Sequence, residues 1–154
     1  MCLTIKKKEP KIATKDWYVY KLLRIDMTSP YRDKKYVINK KVRCKKLGIR
    51  SRNGFITKRG KQVWGKDVKI DVNQGIHYCC NLEDAKLYST KLLLLGRLLV
   101  VECILPKGAT YVEGPTIKTI NRIATDVFLG ASTCLIPHRI VGEIFRGEIK
   151  LYQP

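Results

Sequence analysis

Two stretches concentrate the side chains that could do chemistry. The first is basic. Residues 31–61 hold thirteen cations, Arg32, Lys34, Lys35, Lys40, Lys41, Arg43, Lys45, Lys46, Arg50, Arg52, Lys58, Arg59 and Lys61, against the single acid Asp33. Tyr31, Tyr36 and Phe55 are interleaved with them. Phosphates are met mainly by Lys and Arg, whose binding releases condensed counterions, and aromatics between cations can stack on exposed bases. So many like charges repel one another unless something negative meets them. The chain is therefore expected to dock on a polyanion, with Lys34, Lys35, Lys40, Lys41, Arg43, Lys45, Lys46, Arg50 and Arg52 as the main contacts. Nucleic acid and an acidic protein surface both satisfy this pattern. A solvated charged face packed on an acidic neighbour is the plainer reading. No helix-turn-helix, zinc-finger or single-strand-binding signature is legible, so the expected contact is electrostatic and weakly sequence-selective.

The second stretch is His77-x-Cys79-Cys80, with Cys134 and His138 further on. Thiolate and imidazole are zinc ligands, and a tetrahedral site needs four. No CxxC occurs, however, and on a strand Cys79 and Cys80 point to opposite faces. Cys79 or Cys80 with His138 and Glu143 would supply a nucleophile, a base and an orienting group, but nothing in their spacing requires it. No catalytic residue, metal ligand or cofactor is assigned from these residues, and a non-enzymatic protein is expected.

The chain has 154 residues, a size for one domain with a real core. Its 31 Lys and Arg against 13 Asp and Glu give +18. The excess is lopsided: residues 1–70 carry +17 and residues 71–154 carry +1. No run approaches the roughly 18 apolar residues of a membrane span, so no membrane partner is expected. The opening MCLTIKKKEP does not have the order of a secretory signal, since its lysines follow its apolar residues. The six cysteines, irregularly spaced, fit a reducing cytoplasm and buried thiols better than a disulfide framework.

The elements that must position these side chains centre on residues 75–114, which read as strand, helix, strand, turn and strand. Ile76, Tyr78 and Cys80 alternate with His77 and Cys79. Asn81 can cap a helix over residues 81–95, with Glu83 and Asp84 in its first turn and Gly96 as its stop. Residues 98–105 form an apolar run with Glu102 as the only charge, followed by the turn Pro106-Lys107-Gly108 and a hairpin strand at residues 109–113. Leu87, Leu93, Val100, Cys103, Leu105 and Val112 are core candidates. Residues 1–15, with five lysines and Pro10, read as a basic flexible arm. Residues 16–154 read as one domain with a basic half, 16–70, and a near-neutral core half, 71–154. Residues 16–26 suit a strand. The turn signals Asn53-Gly54 and Arg59-Gly60 favour short hairpins in the basic block, and residues 63–72 add a strand anchored by Trp64. Gly114-Pro115 should turn the chain. Ile117, Ile120, Ile123 or Ala124, and Val127 keep a helical period until Gly130. Residues 131–137 read as loop, and residues 139–145 and 148–152 as closing strands. The expected fold class is α+β: a mainly antiparallel sheet with one or two helices.

Three segments carry a resemblance. Gly75-Ile76-His77, NLEDA at 81–85 and VVECILPKGATYVEG at 100–114 resemble small uncharacterised proteins of gut-bacterial phages and their hosts. The opening MCLTIKKKEPKIATKDWYVYKLL and TSPYR at 28–32 are similar to that group as well. The resemblance implies a phage or prophage origin, residence in the host cytoplasm or the virion, and a virion structural or accessory role, against capsid proteins, as the alternative to a DNA-handling one. A fainter likeness is to ADP-ribosyltransferases. It would place the first-strand cation at Lys21 or Arg24, the Ser-Thr-Ser segment at His77, Tyr78 and Cys79, and a catalytic glutamate at Glu143 or Glu148. The Ser-Thr-Ser residues are not present there and no motif supports either glutamate, so the likeness implies at most a degenerate enzyme, and fold is not function.

Overall fold

The computed structural model describes residues 3–6, 9–30, 34–51, 56–58, 61–63, 69–90, 96–120 and 123–153. Among these the elements are β1 (Leu3–Lys6), β2 (Lys11–Ile12), β3 (Trp17–Arg24), β4 (Val42–Arg43), β5 (Gly48–Ser51), β6 (Ile56–Lys58), β7 (Lys61–Val63), β8 (Lys69–Gln74), β9 (Ile76–Cys79), α1 (Leu82–Ser89), β10 (Leu98–Leu105), β11 (Thr110–Ile120), β12 (Ile123–Ser132), β13 (Cys134–Phe145) and β14 (Glu148–Leu151). One large antiparallel sheet runs β14-β13-β10-β3-β9-β12-β11-β2, with β4 added beside β13. A small sheet runs β1-β8-β5, and β6 pairs with β7.

β3 and β10 are the spine. All eight residues of each pair with the other, from Leu98 opposite Arg24 to Leu105 opposite Trp17. Over most of their length their side chains are apolar on both faces because both faces are covered, while toward Tyr18 and Tyr20 one face opens. On one face Leu22, Leu98 and Val100 join Ile5 and Val72 of the small sheet and Ala85 of the helix. On the other, Val19, Leu23, Val101, Cys103 and Leu105 meet Tyr36 and Val42, brought in by the connection between β3 and β5. The sheet narrows between β3 and β9, which pair only at Tyr20 and Cys79. There the Lys21 ammonium, itself buried, donates to the His77 carbonyl at 2.6 Å and supplies a bond the ladder lacks.

Several sequence expectations need correction. The fold is mostly antiparallel β, with one short helix among the described residues, closer to all-β than to α+β. A second helix near residues 117–129 does not form. β11 and β12 pair there from Tyr111–Ser132 to Ile120–Ile123, since Thr, Ile and Val are strand formers. Gly114-Pro115 does not turn the chain but lies within β11. β2 covers the outer edge of β11 only at Thr110 and Tyr111, so the missing N–H of Pro115 costs no ladder bond on that side. Residues 134–137 belong to β13 and are not loop. The turn at residues 106–109 does form, with Ala109 N–H donating to the Pro106 carbonyl and Gly108 at φ 92°. The strand after it does not pair with β10, because β3 and β13 occupy both edges of β10. The first fifteen residues supply β1 and β2, with Ile5 and Ala13 buried. β3, which lies in the first half of the chain, stands at the centre of the large sheet. Trp64 and Leu93 lie outside the described residues.

Two glycines are dictated by geometry. Gly75, at φ 147°, lets the chain pass from β8 of the small sheet to β9 of the large one. Gly130 sits opposite both Tyr78 and Glu113. The Tyr78 ring lies over it, 2.5 Å from where a Cβ would be, and the Tyr78 hydroxyl donates to Glu113 Oε1 at 2.9 Å.

The helix begins as its sequence dictates. The Asn81 side chain accepts from Asp84 N–H at 2.9 Å, and Glu83 and Asp84 occupy the first turn. Asp84 then turns inward and accepts from Phe128 N–H of β12 at 2.9 Å through Oδ1, pinning the helix to the sheet. Its Oδ2 is buried with no hydrogen-bond partner among the described residues. Burial pushes the Asp84 carboxyl above its ordinary value of 3.8. Ionised Asp84 thus costs stability above its folded pKa, and the cost disappears as pH falls through that value to the unfolded one. Asp84→Asn keeps the acceptor for Phe128 and removes the charge. Its urea midpoint relative to the wild type is expected to be higher at pH 7 than at pH 3. A difference that is flat across that range would show that the Asp84 charge costs the fold nothing.

Candidate polyanion-binding ribbon and an adjoining groove

Seven of the basic residues described in the first half lie on the connection between β3 and β5. Lys34, Lys35, Lys40, Lys41, Arg43, Lys45 and Lys46 are all exposed, and no acid interrupts residues 34–46. No ion pair involves any of the seven among the described residues. The segment is held because four of its other side chains face inward. Tyr36 and Val42 are buried, and Ile38 and Cys44 pack beside them against Val19, Leu23 and Leu135. Backbone bonds fasten it further: Tyr36 N–H to the Met27 carbonyl at 2.9 Å, Asn39 N–H to Pro137 at 2.7 Å and Cys44 N–H to Thr133 at 2.8 Å. Val42 and Arg43 pair with Leu135 and Cys134 as β4. Asn39 forms the corner at φ 66°, a left-handed conformation that Asn tolerates. The result is a ribbon with an apolar underside and a cationic outer face, strapped along the edge of β13. Arg50 lies in β5 with its side chain outside those described, and Arg52 lies outside the described residues.

A groove opens on the other face of the sheet. It encloses about 470 Å³ between Tyr20, Leu82, Glu102, Arg139 and the chain end around Tyr152. Arg139, Glu102 and Tyr20 are register partners on β13, β10 and β3, so they form one row across three strands. Arg139 Nε donates to Glu102 Oε1 at 3.0 Å, and the Tyr20 hydroxyl reaches Oε2 at 3.5 Å. Glu102 is only 7% exposed, whereas the Arg139 side chain is 58% exposed. Burial, followed by the Glu102 charge, raises the Tyr20 phenol above its ordinary value. β13 departs from regular pairing on either side of Arg139-Ile140. His138 is the extra residue between the pairs at Pro137 and Arg139, and Val141 the extra residue between Ile140 and Gly142. Such bulges re-aim side chains. Here His138 meets the ring of Tyr18 at 5.8 Å.

The cysteine and histidine constellations do not assemble. Among the described residues no group of three or more His, Cys, Asp or Glu is placed to hold a metal ion. Burial pushes the Cys79 and Cys103 thiols up to about 12 and the Cys80 thiol higher still, so all three stay protonated at neutral pH. Of the positions suggested by the transferase likeness, Lys21 does reach the His77 backbone, but Arg24 donates to the Pro30 carbonyl. Tyr78 and Cys79 are buried. Glu143 sits 3.5 Å from Arg97, and Glu148 is exposed on β14. Sequence reasoning missed Tyr20, Glu102, Arg139 and Tyr152 as a group. The one available signal was Glu102 itself, a lone carboxylate in an apolar strand, which needs a partner wherever it is buried.

No family model, no curated protein and no solved structure matches the chain.

Proposed function

We propose that this chain is a non-enzymatic binding protein that docks on a polyanion through the ribbon at residues 34–46. One observation carries the reading. Seven cations stand exposed on an anchored segment with no acid among them, so a single negatively charged surface can meet them together without the ribbon having to order first. The overall charge of +18 adds long-range attraction. Nucleic acid is the partner of matching charge density.

The test is titration of a fluorescein-labelled 20-base-pair duplex across a salt series. Engagement of all seven ribbon cations gives a slope of log K against log salt of about −6. Tight binding that ignores salt, or no binding at low salt, would count against the proposal.

A further inference from the structure

We infer that the open face of β3, β10 and β13 is a stacking platform for single-stranded nucleic acid, and that it adjoins the ribbon; the inference rests on the polyanion reading above. Tyr18 and Tyr20 are two apart on β3 and so share a face. His138 lies against Tyr18, and Tyr152 lines the same groove as Tyr20. Tyr18 is 53% exposed and Tyr152 45%. Tyr20 and Tyr152 line a groove within the range of ligand-binding cavities, roughly 300–1,000 Å³, and Tyr18 stands beside Tyr20 on the same face. The sequence of features along the face is ring, ring, cation, ring, the combination that sequence-tolerant single-strand sites use.

The buried carboxylate of Glu102 does not repel a phosphate chain from this face. Its charge is met by Arg139, and it is the guanidinium, not the carboxylate, that reaches solvent. The two bulges present His138 and Arg139 together. The path to the ribbon is short. Asn39 N–H bonds the carbonyl of Pro137, the residue before His138, and β4 extends the same edge of β13. A strand whose bases lie on Tyr18, Tyr20 and Tyr152 can thus carry its phosphates over that edge to Lys40, Lys41 and Arg43. A duplex keeps its bases paired and can use the ribbon alone.

The experiment compares fluorescence anisotropy of an unstructured 20-nucleotide DNA strand, the matching duplex and labelled polyglutamate. Tyr18→Ala and Tyr152→Ala are the variants, since both side chains are half-exposed. Each is expected to weaken single-strand binding about tenfold, within the range for loss of one stacked base, leaving the duplex affinity and the salt slope unchanged. Tyr18→Phe should restore the loss at that position, because a ring and not a hydroxyl is needed. Wild-type affinity of both alanine variants for the strand would overturn the platform while leaving the ribbon intact. An equal loss with polyglutamate would overturn it too, since that polymer has no bases. Failure of the wild type to bind either nucleic acid would remove both readings.

Discussion

Replacing Lys40, Lys41, Arg43, Lys45 and Lys46 together by Gln is expected to weaken duplex binding by on the order of a thousandfold near physiological salt, and to flatten the salt slope by about four to five. The five side chains are exposed and carry no ion pair among the described residues. What holds the ribbon is elsewhere, in buried Tyr36 and Val42 and in the backbone bonds at Asn39 and Cys44. The fold should therefore persist, and relief of mutual repulsion works slightly in its favour. Thermal unfolding checks this directly. The informative control removes the same charge from other places: Lys11, Lys15, Lys86, Lys107 and Lys150, also exposed, all changed to Gln. If attraction is a property of net charge alone, the two variants will bind alike. If the ribbon is the docking site, the control keeps most of the wild-type affinity and most of its slope.

The parts of the fold legible in the sequence were those where local chemistry and tertiary context agree. Asn81 caps the helix because its side chain has no better use, and residues 98–105 form a strand because an apolar run of that length has nowhere to go but between two covered layers. The failures arose where partners distant in sequence decide. Residues 117–127 carry Ile and Val at spacings that suit either period, and pairing between β11 and β12 chose the strand. The hairpin expected after β10 depended on a free edge, but β3 and β13 come from opposite ends of the chain to fill both. Residues 3–6 look solvated in isolation, yet Ile5 is buried once β8 lies beside it.

The candidate site divides in the same way. A run of cations is a local property, so the ribbon could be read directly; its anchoring could not, because Tyr36 and Val42 bury against residues of β3, β10 and β13. The groove was out of reach for a stronger reason. Tyr20, Glu102 and Arg139 are scattered along the chain, and only the register of three strands puts them in one row. The bulges that present His138 and Arg139 leave no mark in composition or spacing, since an extra residue in a strand looks like any other residue.

The same dependence on register yields a sharper expectation at Gly130. Its φ lies outside the left-handed region, so alanine would suit the backbone there, and such a change would ordinarily stabilise by about 0.4–1 kcal/mol through the unfolded chain. In this fold the opposite is expected. The added Cβ would fall 2.5 Å from the Tyr78 ring, which fills the space over the glycine and reaches Glu113 beyond it. The ring is buried and cannot swing aside, so Gly130→Ala must displace it and lose the bond to the Glu113 carboxylate. Overpacking costs about 1–3 kcal/mol and a hydrogen bond to a charged group about 1.5–3 kcal/mol, so destabilisation of roughly 2.5–6 kcal/mol should appear in urea unfolding. Tyr78→Leu removes both the ring and the bond. In that background the second change, Gly130→Ala, has nothing to strike and should be neutral or mildly favourable. The two substitutions therefore couple by several kcal/mol in a double-mutant cycle. Additive effects would mean that the glycine answers to the backbone and not to the ring above it.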